Sequence, residues 1–178
     1  MQAMEQDQNP ASRNDEILDA VRERLSATRI VDVNEDTVQL VLFTLLGAYY
    51  AISGEDVKEI LYPVKTTPVP GTPPFLLGLI NIRGDVESVI DFNLLLSLPK
   101  EPDTPNKRIL ITEKNDVKTG IMVGSVVDVV ELLKSSIGAP IGTIDDSRRD
   151  LISGITTYRD RSVTILELAK VFQKMEGL

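Results

Sequence analysis

The sequence predicts a mainly β protein with a small closed barrel in each half and short helices after each barrel hairpin. Three observations carry this expectation. First, the apolar content is 42%, mostly Val, Ile and Leu, with four Phe, four Tyr and no Trp. Branching at Cβ stiffens Val and Ile and suits them to strands. Second, the apolar runs are short and end at turn residues. Third, the chain repeats itself. Sliding it by 76 residues without a gap places Gly78 on Gly154, Leu79 on Ile155, Arg83 on Arg159, Val89 on Ile165, Asp91 on Glu167 and Phe92 on Leu168. A match at one fixed offset marks two copies of a supersecondary design. Val57-Lys-Glu-Ile60 matches Val126-Val-Asp-Val129 more loosely. Each half holds about five short strands, and closing such a set removes exposed sheet edges.

The elements follow in order. Residues 1–12 are polar and expected to lack order. Ser12 opens a helix at about 13–28, with Asp15 placed as in a capping box and Ile17, Leu18, Val21 and Leu25 on one stripe. So narrow a stripe lies against either the rest of the chain or a partner helix. Val38–Leu46 and Tyr49–Ile52 form a hairpin about Gly47, apolar on both faces. Ser53–Asp56 is a turn. Val57–Tyr62 is a strand with Val57, Glu59 and Leu61 on one face. Glu59 interrupts that face, through a strand-edge salt bridge or a partner contact. Pro63, Pro68, Pro70, Pro73 and Pro74 mark an ordered loop, because proline removes ladder donors.

Gly78–Phe92 is a hairpin running into a helix. Its tight turn is Arg83-Gly84-Asp85, where Gly84 suits a position of positive φ. Asp91 suits the N-cap of the following turn of helix. Pro99, Pro102 and Pro105 mark the internal boundary. It divides residues 36–178 into one barrel at about 36–98 and another at about 106–178, after a polar extension at 1–35. In the second half, strands are expected at Arg108–Thr112 and, in two pieces, across Thr119–Val130. Residues 135–150 are loop with a short helical piece. A hairpin about Arg159-Asp-Arg161 leads into a final helix from Glu167, with Leu168, Val171, Phe172 and Met175 on its apolar face and Gly177 as C-cap.

Composition excludes several functions. The chain has neither His nor Cys, so imidazole or thiolate metal sites, Ser-His-Asp and Cys-His catalysis and disulfides are all unavailable. No cofactor is expected. A net charge of −8 repels the nucleic-acid backbone and anionic lipid. No run is long enough to span a bilayer and no signal segment is evident, so the expected location is the cytoplasm, with no nucleic-acid partner and no membrane insertion. A small carboxylate-dependent enzyme is the remote alternative, using Asp145, Asp146 and Asp150, or Asp85 with Glu87. No positioning motif surrounds those acids.

The chain resembles the CheW-like domain of bacterial chemotaxis coupling proteins. The resemblance is carried by Leu40–Gly47, Tyr50-Ala-Ile52, Val57-Lys-Glu-Ile60, Gly78-Leu-Ile-Asn-Ile-Arg-Gly84 and Val89-Ile-Asp91. It covers residues 36–178. It implies two five-stranded SH3-like β-barrels packed side by side, and a non-enzymatic adaptor between the cytoplasmic tip of a methyl-accepting chemoreceptor and the regulatory domain of a CheA-type histidine kinase. It also implies that Val57, Glu59, Ile60 and Arg83 face the receptor tip, while Gly84 and Asp91 are structural. A clamp across the hairpin is the other reading of Arg83. Two departures stand out: Ser88 where the family often has proline, and Val123-Gly124-Ser-Val126 where it often has Val-Asp-x-Val. With the long extension, they leave room for a pilus-motility or other chemosensory-like pathway.

Overall fold

Alternation along the first strand sets the architecture. In β1 (Thr37–Leu45), Leu40 and Leu42 point into one apolar cluster, while Val41, Phe43 and Leu45 point into another. A strand whose two faces serve two cores must be apolar on both, which is why this run shows no polar alternation. The computed structural model describes residues 36–140 and 146–177. The extension at 1–35 and the helix expected at about 13–28 lie outside them.

Nine further strands follow: β2 (Ala48–Ser53), β3 (Val57–Leu61), β4 (Leu76–Ile82), β5 (Asp85–Asp91), β6 (Arg108–Lys114), β7 (Val117–Val123), β8 (Ser125–Leu133), β9 (Ile152–Tyr158) and β10 (Arg161–Leu166). Among the described residues, three short helices are α1 (Phe92–Leu95), α2 (Asp146–Arg149) and α3 (Leu168–Glu176). The strands form two five-stranded sheets, ordered β8-β1-β2-β10-β9 and β3-β6-β7-β5-β4. All neighbours are antiparallel except β2 with β10 and β5 with β7.

The expected division at residues 99–105 into one barrel per half is therefore corrected. The hairpin β1–β2 completes the sheet of β8, β9 and β10, and the hairpin β6–β7 completes the sheet of β3, β4 and β5. Each half lends its first hairpin to the other. The physical reason lies in the parallel pairs. They join strands far apart in sequence, and local turn signals do not report such pairing.

The repeat extends to the backbone. Strand β4 displaced by 76 residues coincides with β9, and Phe92 and Leu168 each open a helix. The register slips at the same place in both hairpins: Leu76 faces Ile90 and Gly78 faces Val89, while Ile152 faces Leu166 and Gly154 faces Ile165. Thr67 exchanges two backbone hydrogen bonds with Leu79, and Gly138 does the same with Ile155. Glycine at 78 and 154 permits this approach. A Cβ at Gly78, where φ is +133°, would strike the Thr67 carbonyl oxygen, and one at Gly154 would strike Ile137. Each loop thus shields an edge strand.

Three apolar clusters result. Leu40, Leu42, Ala51, Val163 and Ile165 fill one barrel, and Ile80, Val89, Ile109 and Ile111 fill the other. The largest cluster joins them. Val41, Phe43 and Ile52 from one sheet meet Ile90, Leu110 and Ile121 from the other, with Phe92, Val171 and Phe172 from the helices. Phe43 is fully buried at its centre, 5.9 Å from the Phe92 ring and 6.4 Å from Tyr50. Truncating a large buried aromatic costs about 3–5 kcal/mol. Phe43→Ala is thus expected to lower the melting temperature by roughly 6–20 °C at this size while keeping one cooperative transition, because it loosens both barrels together. Calorimetry checks this; two separated transitions would contradict a shared core.

Candidate functional site

An open groove runs along the junction of the barrels. Its walls include Gln39 and Val41 of β1, Val57, Glu59 and Ile60 of β3, and Val129 of β8. Three side chains make it apolar at the surface: Ile60 is 40% exposed, Val129 is 47% exposed and Val57 is half-buried against the shared cluster. Strands β3 and β8 are edge strands of different sheets. Edge position leaves side chains free on the groove side while the strand stays anchored by its single neighbour.

The residues singled out in the sequence fall around this groove. Val57, Glu59 and Ile60 line it directly. Arg83 reaches it from the β4–β5 turn: its Nη2 donates to Glu59 Oε1 at 2.8 Å, with the arginine side chain 80% exposed. Since β3 and β4 are the two edges of one sheet, this ion pair clamps the barrel shut. The turn itself is left-handed at Arg83 (φ 54°) and Gly84 (φ 101°), and Asn81 Oδ1 accepts from the Gly84 N–H at 3.1 Å. Gly84 therefore aims Arg83 and touches nothing in the groove. Asp91 caps α1, accepting from the Leu94 N–H at 3.2 Å, and lies buried away from the groove.

The clamp has a twin. Arg159, in the β9–β10 turn, lies 3.8 Å from Asp128 on β8, and the Tyr158 hydroxyl donates to the same carboxylate. Asp128 matches Glu59 and Val129 matches Ile60 in the Val126–Val129 repeat. The second wall of the groove is thus the second copy of the first. That match is legible in the sequence but marks no site there; Gln39, Val41, Gly54, Lys58 and Val129 join the groove only in the fold. Asp128 is held below the usual carboxylate range, first by the Tyr158 hydroxyl, then by the Val129 N–H and the Arg159 charge. The same hydrogen bond raises Tyr158.

Of the acids weighed for catalysis, Asp85 and Asp150 are exposed. Glu87 is buried and pairs with Lys118 at 2.6 Å. Asp145 lies outside the described residues. Among the described residues, no group of three or more His, Cys, Asp or Glu side chains is arranged to hold a metal. Nor is any helix among them long and apolar enough to cross a membrane. Ser88 shares a 2.6 Å hydrogen bond with Thr119 across the parallel pair β5–β7, which a proline there would forgo.

The model of the CheW-like domain matches residues 39–176, covering both sheets, the groove and both clamps. The chain belongs to the CheW-like family. The chemotaxis protein CheW of Bacillus subtilis (strain 168) is 35% identical over 137 residues, 76% of this chain and 87% of that one. The chemotaxis protein CheW of Helicobacter pylori is 30% identical over 141 residues, 79% and 85% of the two chains. The crystal structure of the scaffolding protein TtCheW from Thermoanaerobacter tengcongensis superposes with a TM-score of 0.68 at 31% identity, covering 77% of this chain and 88% of that one. The match to the CheW-like domain begins at Gln39, two residues into β1.

Proposed function

We propose that this CheW-like chain is a non-enzymatic cytoplasmic adaptor that couples chemoreceptors to a CheA-type histidine kinase in a chemosensory complex. The observation that carries the reading is the groove of Val57, Ile60 and Val129, rimmed by the Glu59–Arg83 pair, in a chain of this family. A helical hairpin tip docks through apolar side chains set at helical spacing, with polar contacts around them. The groove offers apolar walls to the helices and a guanidinium at its rim.

Arg83 is the directional element. Its planar fork takes a carboxylate bidentately. In the free protein one donor is spent on Glu59, and the exposed remainder stays available to a receptor carboxylate. The mechanism is allosteric coupling: the adaptor holds receptor and kinase together, so that a receptor state favoured in the groove biases the kinase state by the coupling free energy between the two sites. Isothermal titration with a receptor cytoplasmic-tip fragment and with the kinase regulatory domain tests the reading. Binding of both supports it, and binding of neither overturns it.

A further inference from the structure

Among the described residues the chain crosses between the two sheets twice. It leaves β2 for β3 through Gly54–Asp56, and β7 for β8 through the single residue Gly124. The φ of Gly124 is not in the left-handed region, so what this glycine supplies is room. A Cβ there would lie 2.6 Å from Glu101 Oε1, 2.9 Å from Glu101 Oε2 and 2.7 Å from Thr44 Oγ1. The space of the missing side chain is taken by the carboxylate of Glu101, which comes from the connection between α1 and β6. The other crossing is built alike: a Cβ at Gly54 would lie 2.8 Å from Gln39 Oε1. At each crossing the polar tip of a distant side chain fills the place that glycine leaves open.

Glu101 touches both sheets at once. Its Oε2 accepts from Asn93 Nδ2 at 3.2 Å, and Asn93 lies in α1, which continues β5. On the other side, Thr44 ends β1; its carbonyl accepts from the Gly124 N–H at 2.9 Å, and its hydroxyl shares a 3.0 Å hydrogen bond with Ser125 at the start of β8. The backbone of Glu101 is fixed separately. The buried Lys107 ammonium donates to the Glu101 carbonyl at 3.0 Å and to Asp103 Oδ1 at 2.8 Å. A firmly held main chain thus presents a carboxylate whose tip rests in the Gly124 notch.

The position of this contact matters because the groove walls, β3 and β8, belong to different sheets. Strand β8 begins directly after Gly124 and carries Val129 into the groove. The shared cluster keeps the sheets together, so the motion left to them is a small tilt about the two crossings. We propose that Glu101 is a positioning residue, a wedge at the Gly124 crossing that fixes the tilt between the sheets and with it the width of the groove. Withdrawing the carboxylate lets the width vary. The regulatory meaning of this wedge rests on the receptor reading of the groove, but the width itself is measured in the free chain, without receptor or kinase.

The chain has no native cysteine, so spin labels at Glu113→Cys and Glu131→Cys, exposed positions on β6 and β8, report the distance between the sheets. Pulsed electron resonance on the full chain should give one narrow distance. Glu101→Ala and Gly124→Ala are each expected to shift or broaden it by about 1–2 Å, the scale of shifts between packed elements. The two changes together should do no more than either alone, since both remove the same contact. Glu101→Gln, which keeps an acceptor for Asn93, is expected to match the parent. The melting temperature of Glu101→Ala should move by only about 2–4 °C, so the altered distance is not partial unfolding. A parent-like distance in Glu101→Ala would overturn the proposal. So would additive effects in the double variant, because Gly124→Ala would then act through Thr44 and not through Glu101.

Discussion

A chain cut in the connection at residues 99–105 is expected to give two fragments that fold only together. The first fragment would hold β1 to β5, yet β3 would lose its sole sheet neighbour, β6, and β5 would lose β7. The hairpin β1–β2 would lose β8 on one side and β10 on the other. What remains is two hairpins and a stray strand, and isolated hairpins are marginal in water. The shared cluster would be split as well, with Phe43, Ile90 and Phe92 in one piece and Leu110, Ile121, Val171 and Phe172 in the other. Circular dichroism and amide proton dispersion should show each fragment largely unstructured and the mixture regaining native signals. Cooperative folding of residues 36–98 alone would contradict the exchanged hairpins.

Arg83→Glu is expected to cut receptor-tip affinity at least about tenfold, because a guanidinium fork is replaced by a like charge facing the carboxylate it is proposed to meet. Stability should change little. The side chain is 80% exposed, and exposed ion pairs contribute about 0–1 kcal/mol. The swap Glu59→Arg with Arg83→Glu separates the two roles of this arginine. If Arg83 only clamps the barrel, restoring the pair in reverse restores binding. If it meets the receptor, the swap leaves affinity low with stability little changed, which is the expected result. Titration and melting on the same variants check both.

The sequence exposed the local grammar of the fold and concealed its long-range pairing. Gly78 and Gly154 marked two hairpins whose strands coincide under the 76-residue offset, because a bulge that admits a neighbouring loop leaves glycine as its signature. Asp91 was legible as a cap because the requirement is local, a carboxylate ahead of unpaired N–H groups. The partner of β1–β2 was not legible. Its strands are apolar on both faces, so neither face says which sheet it joins. The groove was half legible. Val57, Glu59, Ile60 and Arg83 come from one continuous region, but Val129 comes from a strand the chain reaches only after β6 and β7. The Arg83–Glu59 pair needed the closing of the barrel, which brings sheet edges 24 positions apart into contact.

The most direct test of the adaptor reading is a reconstitution. Kinase autophosphorylation is measured with the kinase alone, with receptor-tip assemblies, with this chain, and with both together. The account predicts a receptor-dependent change in rate only when this chain is present, reduced in the Arg83→Glu variant. A receptor effect of the same size without the chain, or none with it, would contradict the account.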